Sequence, residues 1–119
     1  MTDLPIERTF VDTDGTQVTF WEWPVTKPTG VIQIIHGLGE HARRYDELAS
    51  VLNRAGWSVY AEDHRGHGKT GKWQLDNNKI ERLGQWGDGG LKSTVRAVAE
   101  LANIIKDENP EKPIVVYGH

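Results

Sequence analysis

The sequence predicts an α/β fold with a mostly parallel sheet, an antiparallel hairpin at its amino-terminal edge and helices on both faces. Apolar runs of strand length alternate with segments whose apolar residues recur at helical spacing, in the order strand, helix, strand, helix, strand. Residues 31–35 are almost continuously apolar, which is typical of a strand buried on both faces of a parallel sheet. This run is therefore expected at the centre of the sheet.

The chain opens with a predicted hairpin. Residues 9–12 and 17–23 are rich in Thr, Val, Phe and Trp and flank Asp14-Gly15, a pair that readily adopts the positive φ angles of a tight turn. Pro24 and Pro28 then interrupt the pattern, because proline cannot donate a hydrogen bond to a neighbouring strand. This interruption is expected to be a short connection to the strand at 31–35.

A strand–helix–strand unit follows. After a Gly-rich bend, helical spacing is shown by Tyr45, Leu48, Ala49, Leu52 and Ala55. Gly56 is placed to end this helix in the left-handed conformation. Residues 57–62 then predict a second parallel strand, reached by a right-handed crossover.

The second half of the chain predicts a long loop, a helix and a final strand. Residues 64–90 are polar and Gly-rich, and we expect no more than one short helix there. The next helix is predicted to bury a stripe formed by Leu91, Val95, Val98, Ala102 and Ile105. Asn109-Pro110 ends that helix, and residues 114–117 form a short buried strand that stops at Gly118-His119.

Composition excludes several classes of function. The 119 residues fit one domain or part of a larger one, and the net charge of -3 offers no basic surface for nucleic acid. Without cysteine there can be no disulfide and no thiolate metal site. Residues 1–8 lack the apolar core of a signal peptide, and no apolar run approaches membrane-spanning length, so we expect a soluble, cytoplasmic protein.

The bend after the first parallel strand is the first candidate site. Its glycines, Gly37 and Gly39, expose backbone N–H groups, so the Leu38 amide could bind the oxyanion that forms when an ester carbonyl is attacked. If the third parallel strand pairs on the opposite side of the first, both loops flank a crevice at the carboxyl ends of the strands. One loop would bring an oxyanion donor, and the turn at Gly118-His119 would bring a nucleophile.

A dinucleotide-binding site is an alternative interpretation of the same bend. The relevant fingerprint is Gly37-x-Gly39-x-x-Ala42, with Glu62 and Asp63 at the end of the next strand as ribose ligands. Against this alternative, Glu40 would place a carboxylate among amides that should receive a pyrophosphate. The amino-terminal hairpin is also not the usual opening of that fold.

Three motifs together resemble one branch of the α/β-hydrolase superfamily, the serine hydrolases similar to monoacylglycerol lipase and lysophospholipase. The motifs are His36-Gly37-Leu38-Gly39-Glu40-His41-Ala42-Arg43-Arg44-Tyr45, Asp63-His64-Arg65-Gly66-His67-Gly68 and Gly118-His119. The resemblance implies an α/β-hydrolase fold and cleavage of carboxylic esters through an acyl-enzyme, most simply of a monoacylglycerol or lysophospholipid. It assigns Leu38 to the oxyanion hole through its backbone amide, and Gly37 and Leu38 to substrate binding.

The resemblance also implies residues that this sequence does not contain. In that family the motif matching Gly118-His119 continues as Ser-x-Gly, so the nucleophilic serine is expected immediately after His119. The acid, the base and a lid would come later, which makes residues 1–119 the amino-terminal part of a single hydrolase domain. The lid could contact a membrane surface transiently, and the expected partner is a small ester or single-chain lipid.

Other interpretations remain open at this stage. An inactive fragment or a binding module with the hydrolase fold would have the same sequence pattern. The spacing His64-x-x-His67 is compatible with a metal site, but the five histidines fall in separate loops, and neither a metal nor a cofactor is expected.

Overall fold

The computed structural model describes residues 5–119, which form a sheet of five strands with three helices. The elements are β1 (Ile6–Val11), β2 (Gln17–Trp23), β3 (Gly30–Ile35), α1 (Asp46–Arg54), β4 (Trp57–Glu62), α2 (Gly68–Asp76), α3 (Gly90–Glu108) and β5 (Ile114–Gly118). A short 3-10 helix, Ala42–Tyr45, leads directly into α1. The predicted hairpin, strands and helices α1 and α3 are confirmed in position, and α2 is the short helix within the long Gly-rich segment. The predicted burial of residues 114–117 is wrong: β5 is an edge strand of the described sheet, and Val115, Val116 and Tyr117 are 46%, 57% and 48% exposed.

The strand order places β3 at a switch point of the sheet. The order is β1-β2-β4-β3-β5, and β2 pairs antiparallel with β1 on one side and with β4 on the other. Strand β3 pairs in parallel with β4 on one side and with β5 on the other. The loops that follow β3 and β5 therefore leave the same edge of the sheet side by side, which is the condition on which the predicted crevice depended.

Helices α1 and α3 cover opposite faces of the sheet. Because side chains alternate along a strand, neighbouring residues of β2, β3 and β4 enter different cores. The core beneath α1 includes Trp21, Trp23, Ile32, Ile34, Val59 and Ala49. The core beneath α3 includes Phe20, Val31, Tyr60, Leu101 and Ile105. Burial of each large apolar side chain contributes about 1.5–3 kcal/mol, so the fold depends on both layers.

Helix α1 ends where the sequence predicted. Gly56 has a φ of +94°, a conformation that side chains with a Cβ rarely adopt, and its amide donates to the carbonyl of Asn53 at 3.0 Å. The chain then enters β4 at Trp57. This sharp stop lets β4 return parallel to β3 without a longer connection.

The predicted buried face of α3 is partly wrong. The fully buried positions are Ser93, Thr94, Ala97, Leu101 and Ile105. Leu91 and Val95, which we predicted to be buried, are 61% and 58% exposed. The helix is rotated so that its first turns rest on small side chains, and Leu91 and Val95 point towards the crevice beyond β3 and β5.

Candidate active site

Two loops meet at the carboxyl ends of β3 and β5. Gly118 pairs with Ile35 at the end of the parallel ladder, and the amide of His119 donates to the carbonyl of Ile35 at 3.1 Å. Beside this contact lies an open cavity of about 390 Å³. It is lined by the residues of the loop after β3, the histidines of the loop after β4, Trp86, the first turns of α3 and His119. The structure therefore brings together the two segments that the sequence singled out.

Three consecutive amides in the loop after β3 have different partners. The Gly37 amide donates to Oε1 of Glu40 at 2.8 Å, and the Gly39 amide donates to Nε2 of His67 at 3.0 Å. Across residues 5–119, no acceptor is positioned for the Leu38 amide between them. The Leu38 side chain is 78% exposed. An anchored loop thus presents one unused N–H donor at the cavity, which is the arrangement required to stabilise a developing oxyanion.

The Glu40 carboxylate joins this loop to its surroundings. Oε1 also accepts the hydroxyl of Tyr45 at 2.8 Å, and Oε2 pairs with Nε of Arg44 at 3.0 Å. Nδ1 of His119 lies 3.5 Å from Oε1. The Gly37 amide, followed by the Tyr45 hydroxyl, lowers the pKa of Glu40 to about 2. Glu40 therefore remains ionised and continues to accept these bonds throughout the neutral pH range.

His36 supports the same loop from the buried side. Its Nδ1 lies 2.8 Å from the carbonyl of Gly37, and its Nε2 accepts the backbone amide of His64 at 2.9 Å. These partners require a neutral ring with the proton on Nδ1. Burial, followed by the neighbouring His64, lowers the pKa of His36 to about 4. Its role is structural support of the loop.

Asp63 and Arg65 hold loops in place. The two carboxylate oxygens of Asp63 accept the amide of Ala42 at 2.8 Å and the amide of Lys69 at 2.9 Å, which ties the starts of two helical segments together. The Arg65 side chain is almost completely buried and joins the hairpin turn to the loop before α3. Neither side chain lines the cavity at β3 and β5.

The geometry argues against the dinucleotide interpretation. The Glu40 carboxylate already occupies the Gly37 amide that would receive a pyrophosphate. Glu62 and Asp63 are buried and therefore cannot reach a ribose. As for a metal, the part of the chain from residue 5 onwards holds no group of three or more His, Cys, Asp or Glu side chains arranged around one position.

The sequence identified Gly37, Leu38 and His119 but missed His67. The sequence marked His67 only through a resembling motif and a spacing compatible with a metal site, and 28 positions separate it from Gly39, whose amide it accepts. Its flanking glycines, Gly66 and Gly68, indicated a tight turn but not which loop the imidazole would reach. The oxyanion role of Leu38 stays a prediction, now with a defined geometry.

Comparison with known proteins identifies the family. A sequence model of the family described as "Serine aminopeptidase, S33" matches residues 26–119. The chain belongs to this family of α/β-hydrolases. The matched region begins just before β3 and contains both loops of the cavity.

Similar sequences include enzymes named as monoacylglycerol lipases. The human monoglyceride lipase is 41% identical over 118 residues, which cover 98% of this chain and 34% of that protein. A monoacylglycerol lipase from Mycolicibacterium smegmatis is 32% identical over 114 residues, covering 95% of this chain and 37% of the relative. The chain therefore spans about a third of the length of these relatives.

Solved structures confirm the α/β-hydrolase fold. A thermostable carboxyl esterase from Bacillus coagulans, solved in complex with glycerol, has a TM-score of 0.81 and 36% identity, covering 99% of this chain and 37% of that one. A monoglyceride lipase variant from Saccharomyces cerevisiae has a TM-score of 0.79 at 22% identity, and the match covers 100% of this chain and 37% of the lipase chain. The S33 chain described here thus belongs to a family that includes lipases and esterases. None of its described helices is both long and apolar enough to cross a bilayer.

Proposed function

We propose that the full chain is a serine hydrolase that cleaves carboxylic esters, and that residues 1–119 form the amino-terminal part of its single catalytic domain. The observation that carries this proposal is the unused Leu38 amide, held between two anchored amides beside His119. A backbone donor fixed in this way needs no reorganisation when negative charge develops on a carbonyl oxygen, and loss of a comparable donor costs about 3 kcal/mol of transition-state stabilisation.

The mechanism is acyl transfer. A serine immediately after His119 attacks the ester carbonyl while a histidine from the later part of the chain removes its proton. The Leu38 amide and the amide that follows the serine hold the oxyanion. The tetrahedral intermediate collapses with release of the alcohol, and water then attacks the acyl-enzyme to release the acid. The parallel pairing of Ile35 with Gly118 supports this geometry, because it sets the donor and the proposed nucleophile on adjacent strand ends.

We propose monoacylglycerols or lysophospholipids as the substrate class. Two of the relatives above are named as a monoacylglycerol lipase and a monoglyceride lipase, and a third similar protein is named as a carboxyl esterase. The cavity itself supports an apolar ligand, because exposed side chains of Leu38, Leu91 and Val95 stand at its mouth. An acyl chain that covers these side chains would remove apolar surface from water.

The proposal can be tested by labelling the full-length protein with a fluorophosphonate probe and mapping the modified peptide. We expect one adduct, on the residue that follows His119 in the chain. A correctly folded full-length protein that takes no label would contradict a serine hydrolase and would favour a binding module.

Substrate class requires a separate hydrolysis panel. We expect turnover of a monoacylglycerol or a lysophosphatidylcholine, and little turnover of an aminoacyl anilide, the substrate type suggested by the family's description as aminopeptidases. A variant with alanine in place of the labelled serine is the control for contaminating esterases. Preference for the anilide would retain the serine nucleophile but contradict the lipid assignment.

A further inference from the structure

The Leu38 N–H belongs to the same planar peptide as the Gly37 carbonyl. None of the described peptide bonds is cis, and in a trans peptide the N–H and the C=O point in opposite directions. Fixing the direction of the Gly37 carbonyl therefore fixes the direction in which the Leu38 amide points. The groups that hold this carbonyl are the ones that aim the proposed oxyanion donor.

Two donors hold the Gly37 carbonyl. Nδ1 of His36 lies 2.8 Å from its oxygen, and the Glu40 amide donates to it at 3.1 Å. The Glu40 bond closes a four-residue turn, so it fixes the shape of the loop but not how the loop sits on the sheet. One bond alone also leaves the peptide free to turn about the line that joins donor and acceptor. The His36 bond supplies the second, independent direction.

The His36 ring is held from outside the loop. Its Nε2 accepts the backbone amide of His64 at 2.9 Å, and the centroids of the two rings lie 3.9 Å apart. A carbonyl can only accept and a backbone N–H can only donate, so Nδ1 carries the proton and the neutral ring has a single tautomer. The buried ring thus connects the loop after β4 to the Gly37 carbonyl.

We propose that His36 is a positioning residue that aims the Leu38 amide at the reacting carbonyl by holding the Gly37 oxygen, an inference that rests on the proposed function. The ring is part of the cavity wall, but both of its nitrogens are occupied, so it acts through the Gly37–Leu38 peptide. Without the Nδ1 donor, this peptide can turn about its remaining bond to the Glu40 amide. The oxyanion then loses a correctly aimed donor.

Two substitutions separate the two hydrogen bonds of the ring. His36→Asn places an amide nitrogen where Nδ1 stands, so it can donate to the Gly37 carbonyl but cannot reach the His64 amide. His36→Gln places a carbonyl oxygen near the position of Nε2, so it can accept the His64 amide but has no donor at the position of Nδ1. Both variants remove the imidazole from the cavity wall, so a lost contact with substrate would affect them alike.

In the full chain, we expect kcat of His36→Gln to fall on the order of 10- to 100-fold and kcat of His36→Asn to stay within about fivefold of the parent, since misplacement of an oxyanion donor acts on the transition state. KM should differ by less than about twofold between the two variants. The affinity for a trifluoromethyl ketone, whose adduct carries an oxyanion, should fall by the same factor as kcat/KM. Binding of a non-hydrolysable ether analogue should be equal in both variants.

Stability should follow the opposite order. His36→Gln keeps the bond that joins the two loops, so its urea midpoint should be the higher of the two. If His36 only supported the fold, activity would follow stability and His36→Gln would be the more active variant. Val59→Ala, in the core beneath α1 and away from the cavity, shows how much kcat is lost when stability alone is lowered.

Three results would overturn the inference and leave the hydrolase proposal standing. His36→Gln could keep the parent kcat, or it could be at least as active as His36→Asn. Alternatively, Val59→Ala with a matched drop in urea midpoint could lose as much kcat as His36→Gln. If the parent itself neither hydrolyses esters nor takes a fluorophosphonate label, the proposed function and this inference fail together.

A measurement on the parent protein decides the question if the variants do not fold. The nitrogen NMR chemical shifts of the His36 ring report which ring nitrogen carries the proton. A proton on Nδ1 and an accepting Nε2 support the inference. A proton on Nε2 would leave no side-chain donor for the Gly37 carbonyl and would overturn it.

Discussion

Replacing Arg65 with methionine is expected to destabilise the fold by about 4 kcal/mol. The Arg65 side chain is 1% exposed, and its guanidinium pairs with the carboxylates of Asp12 at 3.3 Å and Asp14 at 2.7 Å. It also donates to the carbonyls of Trp86 at 3.0 Å and Asp88 at 3.1 Å. One cation therefore joins the hairpin turn to the loop before α3, and methionine can occupy its volume without making any of these bonds.

The magnitude follows from what is left behind. Removal of one partner from a buried ion pair costs about 3–5 kcal/mol, because the other charge stays buried without compensation. Asp12 still pairs with Arg96 at 3.1 Å, so the lower end of that range applies. The backbone carbonyls that lose their donor add about 1 kcal/mol to this loss of stability. Domains of this kind have a total stability of about 5–15 kcal/mol, so the loss should be obvious.

Urea denaturation followed by tryptophan fluorescence measures the loss. Arg96→Met is the matched control, because Arg96 pairs with the same carboxylate but its side chain is 44% exposed. Screening by solvent should make the effect of Arg96→Met much smaller than that of Arg65→Met. If the two variants lose equal stability, burial of the guanidinium is not what makes Arg65 important, and the reasoning is wrong.

The same variant should change the response to acid. Partial burial raises the pKa of Asp14, but the bonds from Arg65 and from the Thr16 amide outweigh it and bring the pKa down to about 2. A carboxylate whose pKa is lowered by folding stabilises the fold at pH values above the pKa of an ordinary carboxyl group, and this stabilisation is lost as the pH falls towards 2. The difference in stability between the parent and Arg65→Met should therefore narrow between pH 5 and pH 2.

Two further substitutions test the buried groups beneath the candidate active site. Burial raises the pKa of Glu62 well above its ordinary value, so the neutral carboxyl stabilises the fold at low pH and this stabilisation is lost as the pH rises. In denaturant titrations, Glu62→Gln should therefore become more stable relative to the parent from pH 5 to pH 8. The opposite trend would contradict a buried neutral carboxyl. Gly68→Ala should cost about 3 kcal/mol in the same assay, because a Cβ there would overlap the Asp63 carboxylate at a φ of +53°. Gly15→Ala is its control, since φ is also positive but no atom lies within 4 Å; equal losses would mean that backbone strain alone explains Gly68.

Much of the fold could be predicted from local patterns. The Asp14-Gly15 turn, the stop at Gly56 and the continuous apolar run of β3 each depend on a few adjacent residues, and the structure confirms all three. Helix α3 was predicted correctly in extent but not in its buried face. Its apolar residues are spread around enough of the helix that periodicity allowed more than one face, and the structure buries the face that places Leu101 and Ile105 in the core with Val31 and Tyr60.

The sequence by itself determined the order of the secondary-structure elements along the chain and the central position of β3, because hydrophobic periodicity and turn chemistry act over short distances. The pairing of β5 with β3, which sets the two candidate loops at one sheet edge, was only a condition of the sequence argument and was decided by the tertiary structure. Only the tertiary structure decided which backbone amide is free to donate a hydrogen bond to an oxyanion. Gly37 and Gly39 are anchored by Glu40 and His67, and the second of these contacts joins loops from two different strands. Such a contact has no local signature in the sequence. It requires the β3–β4 pairing to bring the Gly39 nitrogen within 3.0 Å of Nε2 of His67, 28 positions later in the chain.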